Sequence, residues 1–189
     1  GERILWVGPA ERAGSVRGPR TRVVDLGEGA LLPGFVDAHG HATFQALAER
    51  TANVASPPVG PVTDIPSLQQ VLREHAAEEE LAAGAWIVGF GYDDSLLAEG
   101  RHPDRDDLDA VSRDHPVALL HVSGHLASAN SAALAQVGIE AETPDPPGGS
   151  IRRRPGSREP DGVLEETATY PLRPHLFDPG DDHVGLVAK

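Results

Sequence analysis

An α/β fold organised on a parallel sheet is predicted by three observations. Apolar strand-length runs alternate with helical patterns through the middle of the chain. Two of those runs, residues 85–91 and 116–122, are apolar almost throughout, as strands buried on both faces require. The runs are also closed by Gly and Pro, which stop strands in tight turns.

Taken in order, Arg3-Ile-Leu-Trp-Val-Gly8 is a short apolar run closed by Gly8-Pro9. A second, Arg22 to Leu26, follows a Gly/Arg/Pro-rich turn and ends at Gly27. Both are expected as strands of a small β-rich element over residues 1–30. A third run, Ala30 to Asp37, opens the main domain, residues 31–189, and ends in a histidine pair. Beyond it, Leu68, Val71, Leu72, His75 and Ala76 recur at helical spacing. Ser67 with Gln70 predicts a capping box at its start, and Gly84 its end. The run at 85–91 is expected as a buried parallel strand. Asp104 with Asp107 predicts a short helix through Val111, and the run at 116–122 the next strand. Asn130 to Val137 is expected as a helix stopped by Gly138, with Ile139 in the apolar position beyond the cap. Repeated strand–helix units of this kind build a parallel sheet. Residues 140–161 carry five prolines, three glycines and Arg152-Arg153-Arg154, and are expected as a surface excursion with solvated arginines. Val163-Leu164 followed by a short acidic helix to Tyr170 completes the assigned part.

Composition narrows the partners. With 29 acidic and 16 basic residues the net charge is −13, which argues against a nucleic-acid backbone and against an anionic membrane. The absence of cysteine removes disulfides, thiolate metal sites and thiol chemistry. No run approaches the roughly 18 apolar residues of a membrane span, and no signal-peptide pattern opens the chain. A cytoplasmic protein acting on a small molecule is the default expectation, and a homo-oligomer remains open. The chain begins at Gly1, contains no methionine and opens inside a strand-like run, so it is expected to be part of a longer gene product.

The sharpest chemical feature is Gly34-Phe-Val-Asp-Ala-His-Gly-His41. Side chains two apart on a strand share a face, so His39 and His41 are candidate ligands of one metal ion. Two ligands do not close a site, and the same pattern fits two histidines in a Gly-rich turn without an ion. His121 and His125 stand four apart, but Gly124 and the strand-like run before it argue against a helical metal pair. Asn130 is expected as a helix cap. Glu165 and Glu166 are neighbours and are expected in an acidic first turn rather than as an acid–base pair. Asp104, Asp106, Asp107 and Asp109 do not make a calcium loop, because its fifth position is Leu108 and its twelfth is His115.

Several stretches together carry a resemblance. Leu31 to His41 resembles the first-strand motif of the amidohydrolase superfamily of metal-dependent hydrolases. Gly1 to Gly8 is similar to the small β-sandwich of its family 3 branch, which includes N-substituted formamide deformylase. Gly89-Phe-Gly-Tyr-Asp93 resembles that branch's G-x-G-W-D stretch, with Tyr92 in place of tryptophan. Pro103 to Val111 is similar to its P-T-R-x-D-L-D helix, Gly124 to Leu134 to its G-H-x-x-x-x-N-S-x-A-L element, and Pro160 to Glu166 to its P-T-G-V-L-x-E stretch. Six motifs occur in the right order over residues 1–168.

The resemblance implies a (β/α)8 TIM barrel, of which this chain supplies the first part, with a β-sandwich element at the N-terminus. A full barrel needs about 250 residues. It further implies one or two divalent ions, Zn²⁺ first, with His39 and His41 as ligands, and a metal-activated water attacking an amide, N-acyl or N-formyl C–N bond. His125 and Tyr92 become substrate-contact candidates; Tyr92 lines the pocket or only backs its wall. A bridging lysine is implied too, and Lys189, the only lysine, is a candidate by elimination. The implied catalytic aspartate and later histidines have no assigned counterpart here. Two other expectations stand beside this one: an inactive truncated portion of such an enzyme, and a non-catalytic binding or regulatory protein on the same scaffold.

Overall fold

The computed structural model describes residues 3–36, 38 and 48–176, and divides into two units, Gly1–Gly40 and His41–Lys189. His39, His41 and Lys189 lie outside the described residues. In the first unit the described residues form one 3₁₀ helix, Ala10–Val16, joined to extended chain and turns. The three runs expected as strands form no ladder among these residues, and Leu5, Val24 and Phe35 stay exposed. A strand is stable only when its N–H and C=O groups and one face find neighbours. These runs have the composition of strands but no such neighbours among the described residues.

The second unit carries one six-stranded sheet. Its strands are β1 (Ala52–Asn53), β2 (Ile87–Tyr92), β3 (Val117–His121), β4 (Leu126–Ala129), β5 (Gly149–Arg153) and β6 (Pro160–Glu166). The spatial order is β1-β2-β3-β4-β6-β5. β1, β2 and β3 are mutually parallel, whereas β4 runs against β3, β6 against β4, and β5 against β6. Two reversals give β6 the direction of β1–β3. Four strands therefore end at the same sheet edge.

Helix α1 (Ile65–Glu78) connects β1 to β2 and α2 (Arg105–Asp109) connects β2 to β3. The capping box of α1 lies three residues before the expected one. Asp64 accepts from the Ser67 N–H at 2.8 Å, and Ser67 Oγ accepts from the Asp64 N–H at 3.1 Å. Ser67 thus sits inside the first turn rather than before it, and Asp is as good a cap as Ser. At α2 the expectation holds: Asp104 accepts from the N–H groups of Asp106 and Asp107, and Asp107 accepts from that of Asp104. Asn130 caps α3 (Ser131–Gln136) as expected, and Gly138 follows that helix at φ +73.

Alternation along the central strands makes two cores. Val117 and Leu119 of β3 pack with Leu68 and Leu72 of α1 and with Ile87. Ala118 and Leu120 face the other way, toward Ala127, Ala129, Leu134, Ile151 and Leu164. Gly89 lies where β2 meets α1, and a Cβ there would sit 2.8 Å from Leu119 Cδ2 and 3.1 Å from Leu72 Cδ2, so those side chains would have to shift.

Residues 149–166 correct the expectation of a surface loop. They form the β5–β6 hairpin, and its arginines are paired: Arg152 with Glu165, and Arg154 with Asp106. The acidic helix expected after Leu164 is instead the end of β6, followed by a 3₁₀ helix Thr167–Leu172 and by α4 (Arg173–Leu176). Ladder partners from β4 and β5 override the weak helical pattern.

Candidate active-site edge

Where the parallel strands of such sheets end is where ligands bind. Here that edge gathers Tyr92 of β2 with Asp93 and Asp94 just after it, His121 from β3, and Glu166 from β6. His125 joins them because β4 starts from the same edge. A register shift between Phe90 and Tyr92 prepares this arrangement. Gly91, at φ +101, is the extra residue, and the bulge turns Tyr92 into register with His121.

Tyr92 is fully buried among α1-side core residues. Its hydroxyl is 3.1 Å from His102 Nδ1 and 3.2 Å from Ser128 Oγ, and its ring meets those of His102 and His121 edge-on. Burial pushes the phenol above its ordinary range, so it stays protonated. Burial likewise holds the His102 imidazole below the usual histidine range, with the Asp94 carboxylate opposing. Asp94 stands between two rings, 3.2 Å from His121 Nε2 and 3.6 Å from His102 Nδ1.

Asp93, Asp94 and His121 each bring a ligand atom to within 4.8 Å of the others, the spacing of a cation site. The tautomer of His121 argues otherwise. The Ser123 backbone N–H donates to Nδ1 at 3.1 Å, which leaves the ring proton on Nε2, facing Asp94. That nitrogen must lose its proton before it can bind a metal. The contact with Asp94 is out of line for a good hydrogen bond.

Asp93 accepts from the Ser95 N–H at 2.9 Å and from Ser95 Oγ at 2.6 Å, and the hydroxyl bond above all holds its carboxyl below the usual carboxylate range. His125 is more than half exposed and pairs through Nδ1 with Glu166 at 3.0 Å. The Glu166 N–H donates to the His125 carbonyl at 2.7 Å, and Glu166 adopts φ +51, a left-handed conformation that a non-glycine residue holds at a cost of about 1–3 kcal/mol.

The structure therefore brings Tyr92 and His125 to one edge, Tyr92 beneath it and His125 upon it. Reading the sequence missed Asp94 and His102. A carboxylate pair directly after an apolar strand was the visible signal for Asp94. His102 lies in a loop, and only the tertiary fold returns it to Tyr92.

Comparison with known proteins agrees with this architecture. A model described as the amidohydrolase family matches residues 22–187. The chain belongs to that family. N-substituted formamide deformylase of Arthrobacter pascens is 35% identical over 168 residues, which is 89% of this chain and 30% of that protein. A Bacillus subtilis protein provisionally named as the amidohydrolase YtcJ is 31% identical over 79% of this chain and 27% of its own length. The chain thus spans less than a third of these two relatives. Among solved structures, an uncharacterized metal-dependent hydrolase of Pyrococcus horikoshii superposes with a TM-score of 0.50 at 24% identity, over 78% of this chain and 24% of that one. At that identity the likeness shows the fold alone. The mixed sheet is compatible with part of that fold. Among the described residues, no helix is long and apolar enough to cross a membrane.

Proposed function

We propose that this chain is the N-terminal part of a metal-dependent hydrolase of non-peptide C–N bonds, acting on a small amide, N-acyl or N-formyl substrate in the cytoplasm. In the whole protein, β1, β2, β3 and β6 belong to a (β/α)8 barrel, and residues 1–30 to a β-sandwich completed by other chain. The observation that carries this reading is the collection of Asp93, Asp94, His121, His125 and Glu166 at one carboxyl edge, in a chain of the amidohydrolase family.

His39 and His41 are the residues that would hold the divalent ion, Zn²⁺ by donor chemistry: neutral imidazoles suit that metal and a third protein ligand completes it. When bound, such an ion lowers the pKa of its water toward about 7 and polarises the substrate carbonyl. His125, oriented through Nδ1 by Glu166, presents Nε2 at the edge as a substrate contact. Tyr92 positions the rings of His102 and His121 from below.

Metal analysis of the dialysed full-length gene product, of which this chain is read as a part, tests the reading. Bound zinc is expected at roughly stoichiometric level and is lost in a His39→Ala, His41→Ala double variant that keeps its fold. Retention of metal in that folded variant overturns it.

A further inference from the structure

We propose that Ser123, two residues beyond β3, is a nucleophile that takes an acyl group from a small ester, with His121 as its base and Asp94 behind the imidazole. The step uses no metal ion, so it goes beyond the hydrolase reading and the two fail independently.

Three side chains stand in a row. Ser123 Oγ is 2.8 Å from His121 Nδ1, and His121 Nε2 is 3.2 Å from an Asp94 carboxylate oxygen. The Ser123 N–H donates to Nδ1 at 3.1 Å, so Nδ1 is an acceptor and Nε2 carries the ring proton. The Ser123 hydroxyl therefore donates to Nδ1. This is the tautomer a general base needs, with a lone pair toward the nucleophile and an N–H toward the carboxylate. A loose carboxylate contact is common before substrate arrives.

Placement sets this hydroxyl apart from an ordinary surface serine. His121 is buried, and its ring meets that of Tyr92 edge-on with centroids 5.1 Å apart. Ser123 is exposed on a turn closed by the Gly124 N–H, which donates to the His121 carbonyl at 2.9 Å while Gly124 takes φ +73. A fixed base thus lies beneath an oxygen that an ester can reach. The His125 N–H donates to that oxygen at 3.2 Å and steadies it as its proton leaves. Ser95 makes the contrast: it is exposed too, but its hydroxyl donates to the Asp93 carboxylate at 2.6 Å.

In the step, Oγ bonds to the acyl carbon and its proton passes to His121 Nδ1. The ester C–O bond breaks, and the departing alkoxide takes that proton and leaves as the alcohol. Water, deprotonated by the same nitrogen, then frees the acid from acyl-Ser123 and returns the proton to Oγ.

An alkyl fluorophosphonate, which an activated serine attacks with loss of fluoride, tests this on the full-length gene product before and after its metal is chelated. Mass spectrometry is expected to place the label on Ser123 at the same rate in both states. The chelated protein should also hydrolyse 4-nitrophenyl acetate, and Ser123→Ala should lose both the label and at least about tenfold of that hydrolysis. His121→Gln should slow labelling about 100-fold or more. Asp94→Asn should lower the maximal labelling rate about tenfold or more and leave the half-saturating probe concentration unchanged, as a residue acting through the imidazole requires. Ser123 and Asp94 are not core residues, so a fold lost in His121→Gln leaves the other variants decisive. A label elsewhere than Ser123, a label that vanishes with the metal, ester hydrolysis unchanged in Ser123→Ala, or an unchanged rate in Asp94→Asn each overturns the proposal. Metal retained after His39→Ala, His41→Ala sinks the hydrolase reading and leaves the reactive serine standing.

Discussion

Residues 3–36 and 48–176 contain apolar runs of similar length and composition, yet only the second set becomes a sheet. Local pattern does not separate them, since Arg22 to Leu26 is about as strand-like as Val117 to His121. The difference is the company each keeps. Val117–His121 has β2 on one side and β4 on the other, and both faces are covered by core. Val24 and Leu26 are exposed, without ladder partners among the described residues. Strand formation is a property of a neighbourhood, since backbone groups and both faces must be satisfied by residues distant in sequence.

Core truncation should separate the two regions most. Leu119→Ala is expected to cost about 2–5 kcal/mol in urea unfolding, and Val24→Ala within about 0.5 kcal/mol. Equal costs would mean that the first unit has a core of its own. A similarly large loss is expected at Asn130, which is fully buried. Its Oδ1 accepts from the N–H groups of Val117 and Ala133, and its Nδ2 donates to the carbonyls of Ser112 and His115. Asn130→Ala should cost about 3 kcal/mol by leaving those groups unbonded, and Asn130→Asp no less, because a carboxylate keeps the cap but sets a buried oxygen against the Ser112 and His115 carbonyls.

A smaller effect is expected at Gly162, where φ is +103 and a Cβ would lie 2.6 Å from the Ala129 carbonyl oxygen. Gly162→Ala should lower the unfolding midpoint by an amount worth about 1–3 kcal/mol, whereas Gly34→Ala, with open space around it, should be nearly silent. Near 1 kcal/mol is expected for Asp64→Ala at the start of α1; the 3₁₀ helix of the first unit has no side-chain cap to lose.

The mildest test is acid. His102 is depressed by burial in the folded state and is ordinary, about 6.5, when unfolded, so the unfolded chain takes up the proton first. The stability this group contributes is present above about pH 6.5 and falls as the pH drops through that value. His102→Asn should flatten the slope of unfolding free energy between about pH 6.5 and 5. An unchanged slope would mean that the ring is not held neutral by its surroundings.

Much of the second unit was legible in residue order. The two βα units, the Asp104–Asp107 box and the Asn130 cap depend on patterns within a few residues, where sequence spacing is spatial spacing. The β4–β6–β5 arrangement was not legible, because β4 is only four residues long and β5 and β6 carry Gly, Pro, Arg and carboxylates in place of the long apolar runs that mark buried strands. Among the site residues, His125 and Tyr92 stood out in motifs, while His102 and Asp94 acquire meaning only beside them.

By itself the sequence determined the family, the main helix with its apolar face, the short caps and the residue types available for chemistry. Those follow from local periodicity and from motifs that survive being read in one dimension. Tertiary structure alone decided which apolar runs became strands, which way β6 runs, and which carboxylate faces which imidazole. Each of these is settled by contacts between residues tens of positions apart, and no local pattern encodes the energy of a neighbour not yet in place.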